Sequence, residues 1–234
     1  MDIHQTHKKI DPKGIIIAAS VILLWTLMLI FLLRIEVNFT HPWIYLAILI
    51  QTHLYTGLFI TAHDAMHGVV SSNKKANNII GWTAAMLFSY NFYGRLFPKH
   101  HEHHRHVATD DDPDYHPSGN FFRWYLSFIT NYVTIWQILL MAVTYNVLKL
   151  WFPYENLIMF WIIPAVLSTF QLFYFGTYLP HRGEHGNKHR SGTLQRNHAW
   201  AFLSCYFFGY HYEHHDSPRT PWWRLWQLKN TTRQ

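Results

Sequence analysis

Nine histidines in this 234-residue chain fall at spacings that could hold metal ions. His63 and His67 are one helical turn apart, which puts both imidazoles on one helix face. His100, His103 and His104, and again His211, His214 and His215, repeat an i, i+3, i+4 pattern in which the last two side chains flank the first. A triplet of that form can serve two neighbouring ions. His181 closes an apolar stretch and completes the set. Imidazole suits zinc, copper, iron and nickel alike, so the donors name no metal, but nine are too many for one ion and suit two. Without metal such a cluster would be unstable: protonation brings like charges together, and neutral rings need partners. His63 and His67 also resemble the H-E-x-x-H pair of zinc proteases. Here Asp64 is one carbon shorter than that glutamate, and a protease would not require two further triplets.

The elements that must carry these residues are apolar. Four stretches, 15–33, 42–62, 124–148 and 156–180, contain no Asp, Glu, Lys or Arg. Each is close to or above the roughly 20 residues that a spanning helix takes. They show almost no polar face, which argues against ordinary core helices. Two further uncharged stretches, 76–94 and 197–212, are more polar or shorter, and are expected as re-entrant or interfacial hairpins packed in protein. The expected fold is an all-α integral membrane protein: four transmembrane helices, re-entrant or interfacial helices and a cytoplasmic histidine-rich cap, in one domain over residues 1–234.

Four spans place both termini, the 64–123 segment and everything after His181 on one side. That side holds 17 of the 19 Lys and Arg; only Arg34 and Lys149 lie opposite. The positive-inside rule makes it the cytoplasmic side of a cell (inner) membrane, with both termini cytoplasmic. The net charge of +6 therefore reports topology and not a nucleic-acid surface. Lys8, Lys9 and Lys13 precede an apolar run with no small-residue cleavage site, which is expected as an uncleaved first span. The single cysteine, Cys205, excludes a disulfide framework and a cysteine-ligated cluster. With 14% charged and 50% hydrophobic residues, disorder is excluded as well.

The other histidines are weaker candidates. His4, His7 and His41 are expected to be bystanders. His53, inside the second span, is expected to hydrogen-bond within the bundle, with channel lining as the alternative. His101, His106, His116, His185, His189 and His198 flank the clusters. The acidic run 110–114 could accept N–H bonds from metal-bound histidines, or form a capped turn. Trp222 and Trp223, with Arg219 and Arg224, look like an interfacial anchor.

A water-poor metal site with neutral ligands suits oxygen chemistry, which needs a redox metal and gains from excluding water. No dinucleotide-binding turn is present, so electrons must come from an external donor, such as reduced ferredoxin, meeting the basic face. The substrate is expected to be a lipid reaching the site sideways.

The three boxes, H-x-x-x-H, H-x-x-H-H and H-x-x-H-H, resemble those of the membrane fatty-acid desaturase and hydroxylase superfamily, whose members bind a non-haem di-iron centre. More narrowly, His63-Asp-Ala-Met-His-Gly68, Asp-Asp-Pro-Asp114, Phe175-Gly-Thr-Tyr-Leu-Pro-His181 and Tyr210-His-Tyr-Glu-His-His215 followed by Pro221-Trp-Trp-Arg-Leu225 are similar to stretches of the bacterial carotenoid 4-ketolases. The similarity covers nearly the whole chain after Pro42. It implies O2-dependent oxidation of C4 and C4′ of carotenoid β-ionone rings by two iron ions held by His63, His67, His100, His103, His104, His181, His211, His214 and His215. β-Carotene would pass through echinenone to canthaxanthin, and zeaxanthin could be taken toward astaxanthin. Ring hydroxylation and acyl desaturation are the alternatives. Many desaturases have four residues between the histidines of the first box and this chain has three, which favours ring oxidation. Asp64, with Asp112 and Asp114, would tune the histidines or relay protons. Aromatics near the boxes, Phe88, Tyr93, Phe97, Phe207 and Phe208, suit the apolar packing of such a substrate, with ordinary helix packing the more expected role for any single one.

Overall fold

The computed structural model describes residues 12–195 and 197–231; His4, His7, Lys8 and Lys9 lie outside them. The described residues form helices and no strand. The chain begins with α1 (Lys13–Leu32) and α2 (Pro42–Met66), the latter started by proline in its first turn, where the missing N–H costs nothing. At 1.5 Å per residue, 20 and 25 residues give about 30 and 38 Å, enough to cross a bilayer. Leu23, Leu24, Leu27 and Phe31 of α1 are exposed, as a lipid-facing flank requires, while Val21 and Trp25 pack inward.

The 76–94 stretch is the expected hairpin. α3 (Lys74–Leu87), capped by the Asn73 side chain, lies along α2, where Asn77 Nδ2 donates to Ala65 O at 2.8 Å. α4 (Tyr93–His106) returns beside it. A Cβ on Gly81 would stand 2.6 Å from the Tyr93 ring and 2.8 Å from Ala65 Cβ, so only glycine lets the three helices close. The turn between them passes through Ser89 and Tyr90, both at positive φ, and Tyr90 is held by its hydroxyl, 2.5 Å from Thr144 Oγ1.

The 124–148 stretch departs from expectation. It is two helices, α5 (Phe121–Tyr132) and α6 (Ile135–Leu148), bent by 79° at Val133 and Thr134. The cause is local: Thr134 and Gln137 form a capping box that starts a new helix, and Val133 and Thr134 are extended. Both ends of α5 reach one residue, through Trp124 Nε1–H to Asp114 O at 2.6 Å and the Tyr132 hydroxyl to Asp114 Oδ1. α5 therefore lies across the histidine-bearing end of the bundle. α6, about 21 Å long, runs from there past the hairpin tip to the opposite end.

From that end α7 (Tyr154–His181) returns the chain to the histidines. Its start is fixed by buried Asn156, whose Nδ2 donates to Leu32 O and Ile35 O, each at 2.8 Å. Leu32 O is a carbonyl of the last turn of α1 that no helical N–H serves, and Ile35 O belongs to the loop just beyond it. Asn156→Leu is expected to lower stability by about 1–3 kcal/mol, read as an earlier thermal transition of the purified protein in detergent; an unchanged midpoint would refute the clamp.

Two segments of α7, Ile158–Ile162 and Phe173–Tyr178, are π-helical, each ending two residues before a proline, Pro164 and Pro180. Proline has no N–H for the carbonyl four residues back, and a wider turn accommodates that loss. Past α7, the 197–212 stretch forms α8 (His198–Cys205), a turn with Tyr206 and Phe207 at positive φ, and the first turn of α9 (His211–Asp216). α10 (Leu225–Thr231) ends the described chain.

Candidate metal centre

Four elements deliver the nine singled-out histidines to one end of the bundle: the end of α2, the C-terminal half of α4, the last residue of α7, and α9. They form two groups. His63, His67, His100, His104 and His214 make one, His103, His181, His211 and His215 the other; within each group one ligand atom per residue lies within 4.8 Å of the rest. The i, i+3, i+4 spacing governs the split. In α4 the i, i+4 pair His100 and His104 joins the first group and His103 the second; in α9 the pair His211 and His215 joins the second and His214 the first.

Within the groups the Nε2 atoms face one another. Separations are 2.6 Å for His67 and His100, and 3.1 Å from His104 to both His100 and His214. In the second group they are 2.8 Å for His181 and His211, 2.9 Å for His211 and His215, and 3.0 Å for His103 and His215. Neutral imidazole has one N–H and one lone pair, so such converging nitrogens cannot all be satisfied by one another. Both ring nitrogens of buried His63 have no partner. Cations between the nitrogens would satisfy every lone pair, so the residues fit a metal centre with an all-imidazole donor set.

Electrostatics keeps most of these rings ready to ligate. Burial, with repulsion between neighbouring rings, holds His100, His211, His214 and His215 well below the ordinary imidazole range. The same causes take His104 down to about 2, and burial takes His67 to about 3. His103 goes the other way. Burial opposes its charge, but the Asp114 carboxylate and the hydrogen bond to Asp112 outweigh it.

The acidic run is built around that ring. His103 Nδ1–H donates to Asp112 Oδ1 at 2.8 Å, which turns the Nε2 lone pair toward the second group. Asp112 is itself held by the backbone N–H of Asp114 on Oδ1 and of Ala108 on Oδ2, each at 2.8 Å, so it is both ring partner and turn cap. Asp114 Oδ2 stands 3.9 Å from His103 Nδ1. His181 Nδ1–H has the equivalent support from Arg190 O at 3.2 Å. Asp64 is engaged differently: its Oδ2 accepts from the backbone N–H of Trp222 at 3.1 Å, while His63 Nδ1 is 3.6 Å from Oδ1, too far for a hydrogen bond. Its carboxylate thus ties the C-terminal segment to α2.

Among the described residues, the remaining histidines stay outside both groups. His53 makes no hydrogen bond; its ring stacks on Tyr206 at 4.2 Å and 13°, so the expected polar contact in the bundle is an aromatic one. His101 leans on Phe97 O, His189 on Asp216, and His198 on the Tyr210 hydroxyl. Of the expected interfacial anchor, Trp222 packs against Phe202, Tyr206 and Phe207, Trp223 is half-buried, and Arg219 and Arg224 are exposed.

A void of about 40 Å³ touches His63, His100, His103 and His211. Beyond it lies a cavity of about 690 Å³ between α5–α6, the α3–α4 turn and α7. Phe59, Phe128, Tyr132 and Leu172 line both spaces. Of the aromatics expected near the site, Phe208 packs its ring edge-on to His63 at 4.5 Å and Phe88 lines the cavity; Tyr93, Phe97 and Phe207 pack against Trp82, His101 and Tyr210. Phe59, Phe128, Tyr132 and Leu172 were not singled out from the sequence. Of these, Phe59 lies one helical turn before His63, a spacing that could have found it; Phe128, Tyr132 and Leu172 stand at no such distance from a predicted ligand.

The sequence profile of the family described as fatty acid desaturase matches residues 40–139 and 121–234. The chain is 37% identical over 242 residues to the zeaxanthin 4-ketolase of Chlamydomonas reinhardtii, covering 95% of this chain and 54% of that protein. It is 40% identical over 185 residues to a β-carotene ketolase of Haematococcus lacustris, covering 74% and 58%. Against the β-carotene ketolase of Paracoccus sp. (strain PC1) the identity is 38% over 222 residues, covering 92% and 91%. The chain thus spans little more than half the length of the algal proteins and nine-tenths of the bacterial one. No solved structure matches the chain significantly.

Proposed function

The chain belongs to the fatty acid desaturase family, and from that premise we propose that this membrane protein is an O2-dependent carotenoid 4-ketolase whose nine histidines hold two iron ions. The observation that carries the proposal is the pair of adjoining all-imidazole groups beside an apolar cavity, in a chain whose relatives are named as β-carotene and zeaxanthin ketolases. Bound iron supplies the power to oxidise a C–H bond with O2. C4 of a β-ionone ring is allylic, so its C–H bonds are among the weakest on the ring. Each hydroxylation takes one O2, two electrons and two protons and releases one water; a second at the same carbon gives a gem-diol, which loses water to leave the ketone.

The protein's part is to position and to exclude. Asp112 fixes the tautomer of His103, and Arg190 O that of His181. Asp114, hydrogen-bonded by Tyr132 at the edge of the void, is placed to hold a proton beside His103. Phe208, with Phe59, Phe128, Tyr132 and Leu172, keeps bulk water from the groups. Electrons come from an external donor such as reduced ferredoxin, and a notch bordered by Lys74 and Arg219 reaches His67 and His104 from the polar side. The chain acts as one desaturase-like unit in the inner membrane with its termini and histidine cap cytoplasmic, and its partners are carotenoid, lipid and that donor, not nucleic acid.

Expression in a β-carotene-producing bacterium tests the proposal by chromatography of the pigments. Echinenone and canthaxanthin are expected. Solely 3-hydroxylated products, altered acyl chains or unchanged pigment would overturn it.

A further inference from the structure

The 690 Å³ cavity is joined to the metal groups by shared walls, and its chemistry is one-sided. No charged side chain lines it; Phe88, Phe128, Ile129, Ile138, Met141 and Ile162 make up much of its surface. The tyrosine hydroxyls on that wall are engaged, Tyr132 with Asp114 and Tyr125 with Thr169 Oγ1 at 3.1 Å, and the polar groups left on it, among them the unpartnered Ser89 hydroxyl at the α3–α4 turn, are neutral. A carboxylate or a lipid headgroup would find no cation there, so the cavity suits a ligand that is hydrocarbon along its length. Several wall residues, Phe122, Leu126, Ile138 and Val166, are also exposed on the apolar flank between α5–α6 and α7, so the space opens toward lipid. With the 79° bend at Val133 and Thr134, both α5, which packs on α7 through Tyr125 and Phe128, and α6 contribute walls to this space.

We propose that this cavity is the channel that takes the polyene arm of the carotenoid from the bilayer, and that Phe59, Phe128, Tyr132 and Leu172 form a collar through which one end ring reaches the histidine groups. The inference rests on the ketolase function proposed above and adds where the substrate binds and which residues select it. Tyr132 gives the collar a fixed edge, since its hydroxyl is tied to Asp114 and Asp114 stands beside His103. Ring position and metal position are thereby set by one chain of contacts.

Tryptophan at two wall positions of α6, Met141→Trp and Ile138→Trp, would fill the channel without touching a histidine. Val143→Trp on the exposed outer face of the same helix is the control. Three quantities are read: ketone formed, carotenoid retained per purified chain, and iron per chain. The wall variants are expected to lower ketone and retained pigment by about tenfold or more, with iron unchanged and Val143→Trp like wild type. A photoreactive benzoylphenylalanine at 138 should be adducted by pigment, and one at 143 should not. That measurement decides the matter should a tryptophan variant lose iron. Normal pigment retention and ketone yield in both wall variants, or no pigment adduct at 138, would overturn the channel while leaving the ketolase function intact. A wild-type protein that retains carotenoid but forms no ketone, and loses retention in Met141→Trp, would overturn the function and leave the channel.

Discussion

Alanine at His211 or at His214 is expected to reduce ketone formation by roughly three orders of magnitude, because groups that act as a unit lose nearly everything when one is removed. The metal contents of the two variants should differ. His214 belongs to a group of five imidazoles and His211 to a group of four. Losing His214 leaves four donors, enough to retain an ion; losing His211 leaves three, on α4, α7 and α9. Iron per chain is therefore expected to fall from two toward one in His211→Ala and to stay closer to two in His214→Ala. Elemental analysis of purified protein alongside pigment turnover measures both. Full iron and full activity in His211→Ala would refute the assignment of the second group, and an equal loss in the two variants would refute the five-and-four division.

Asp112→Asn should weaken iron binding by about 10- to 100-fold, the usual effect of losing the partner that orients a ligating histidine. The geometry explains why an isosteric change is so harmful. Asp112 accepts three N–H groups: His103 Nδ1 and the Asp114 backbone on Oδ1, and the Ala108 backbone on Oδ2. An asparagine has one acceptor oxygen, so its amide NH2 must face either Ala108 N–H or the His103 and Asp114 donors. Either orientation sets donor against donor in a buried place, and the ring loses its tautomer or the loop loses its cap. Asp114→Asn, whose carboxylate is 3.9 Å from His103 Nδ1, should cost iron less. Competition with a chelator of known affinity reads both variants. Equal iron affinity for Asp112→Asn and wild type would show that the bond does not orient the ligand.

How much of this was legible beforehand depends on which residues one follows. The histidine spacing carried most of the site, because i, i+3, i+4 on a helix fixes which rings diverge and which align whatever surrounds them. The uncharged runs carried α1, α2 and α7 for a similarly local reason. The break in 124–148 was written in the chain as Thr134 and Gln137, a capping box hidden within residues that hydropathy averages into one span. The contacts of Asp64 were not legible at all: its partner, the Trp222 backbone, is 158 residues away. His53 presented a polar side chain in an apolar helix, yet its stacking on Tyr206 depends on a turn at positive φ that no local signal announced. The π segments ahead of Pro164 and Pro180 were hinted at by the prolines alone, and they set the facing of Leu172, Gly176 and His181.

Both histidine groups draw on α9, and each also needs α4, so neither metal pocket has its full set of walls until residues 211–215 are in place. During synthesis the lipid-embedded helices can therefore enter the bilayer and pair before any iron can be captured tightly. If these groups hold metal as proposed, tight loading would have to follow placement of α9. A ribosome stalled before codon 211 would leave a well-inserted protein with half-built pockets.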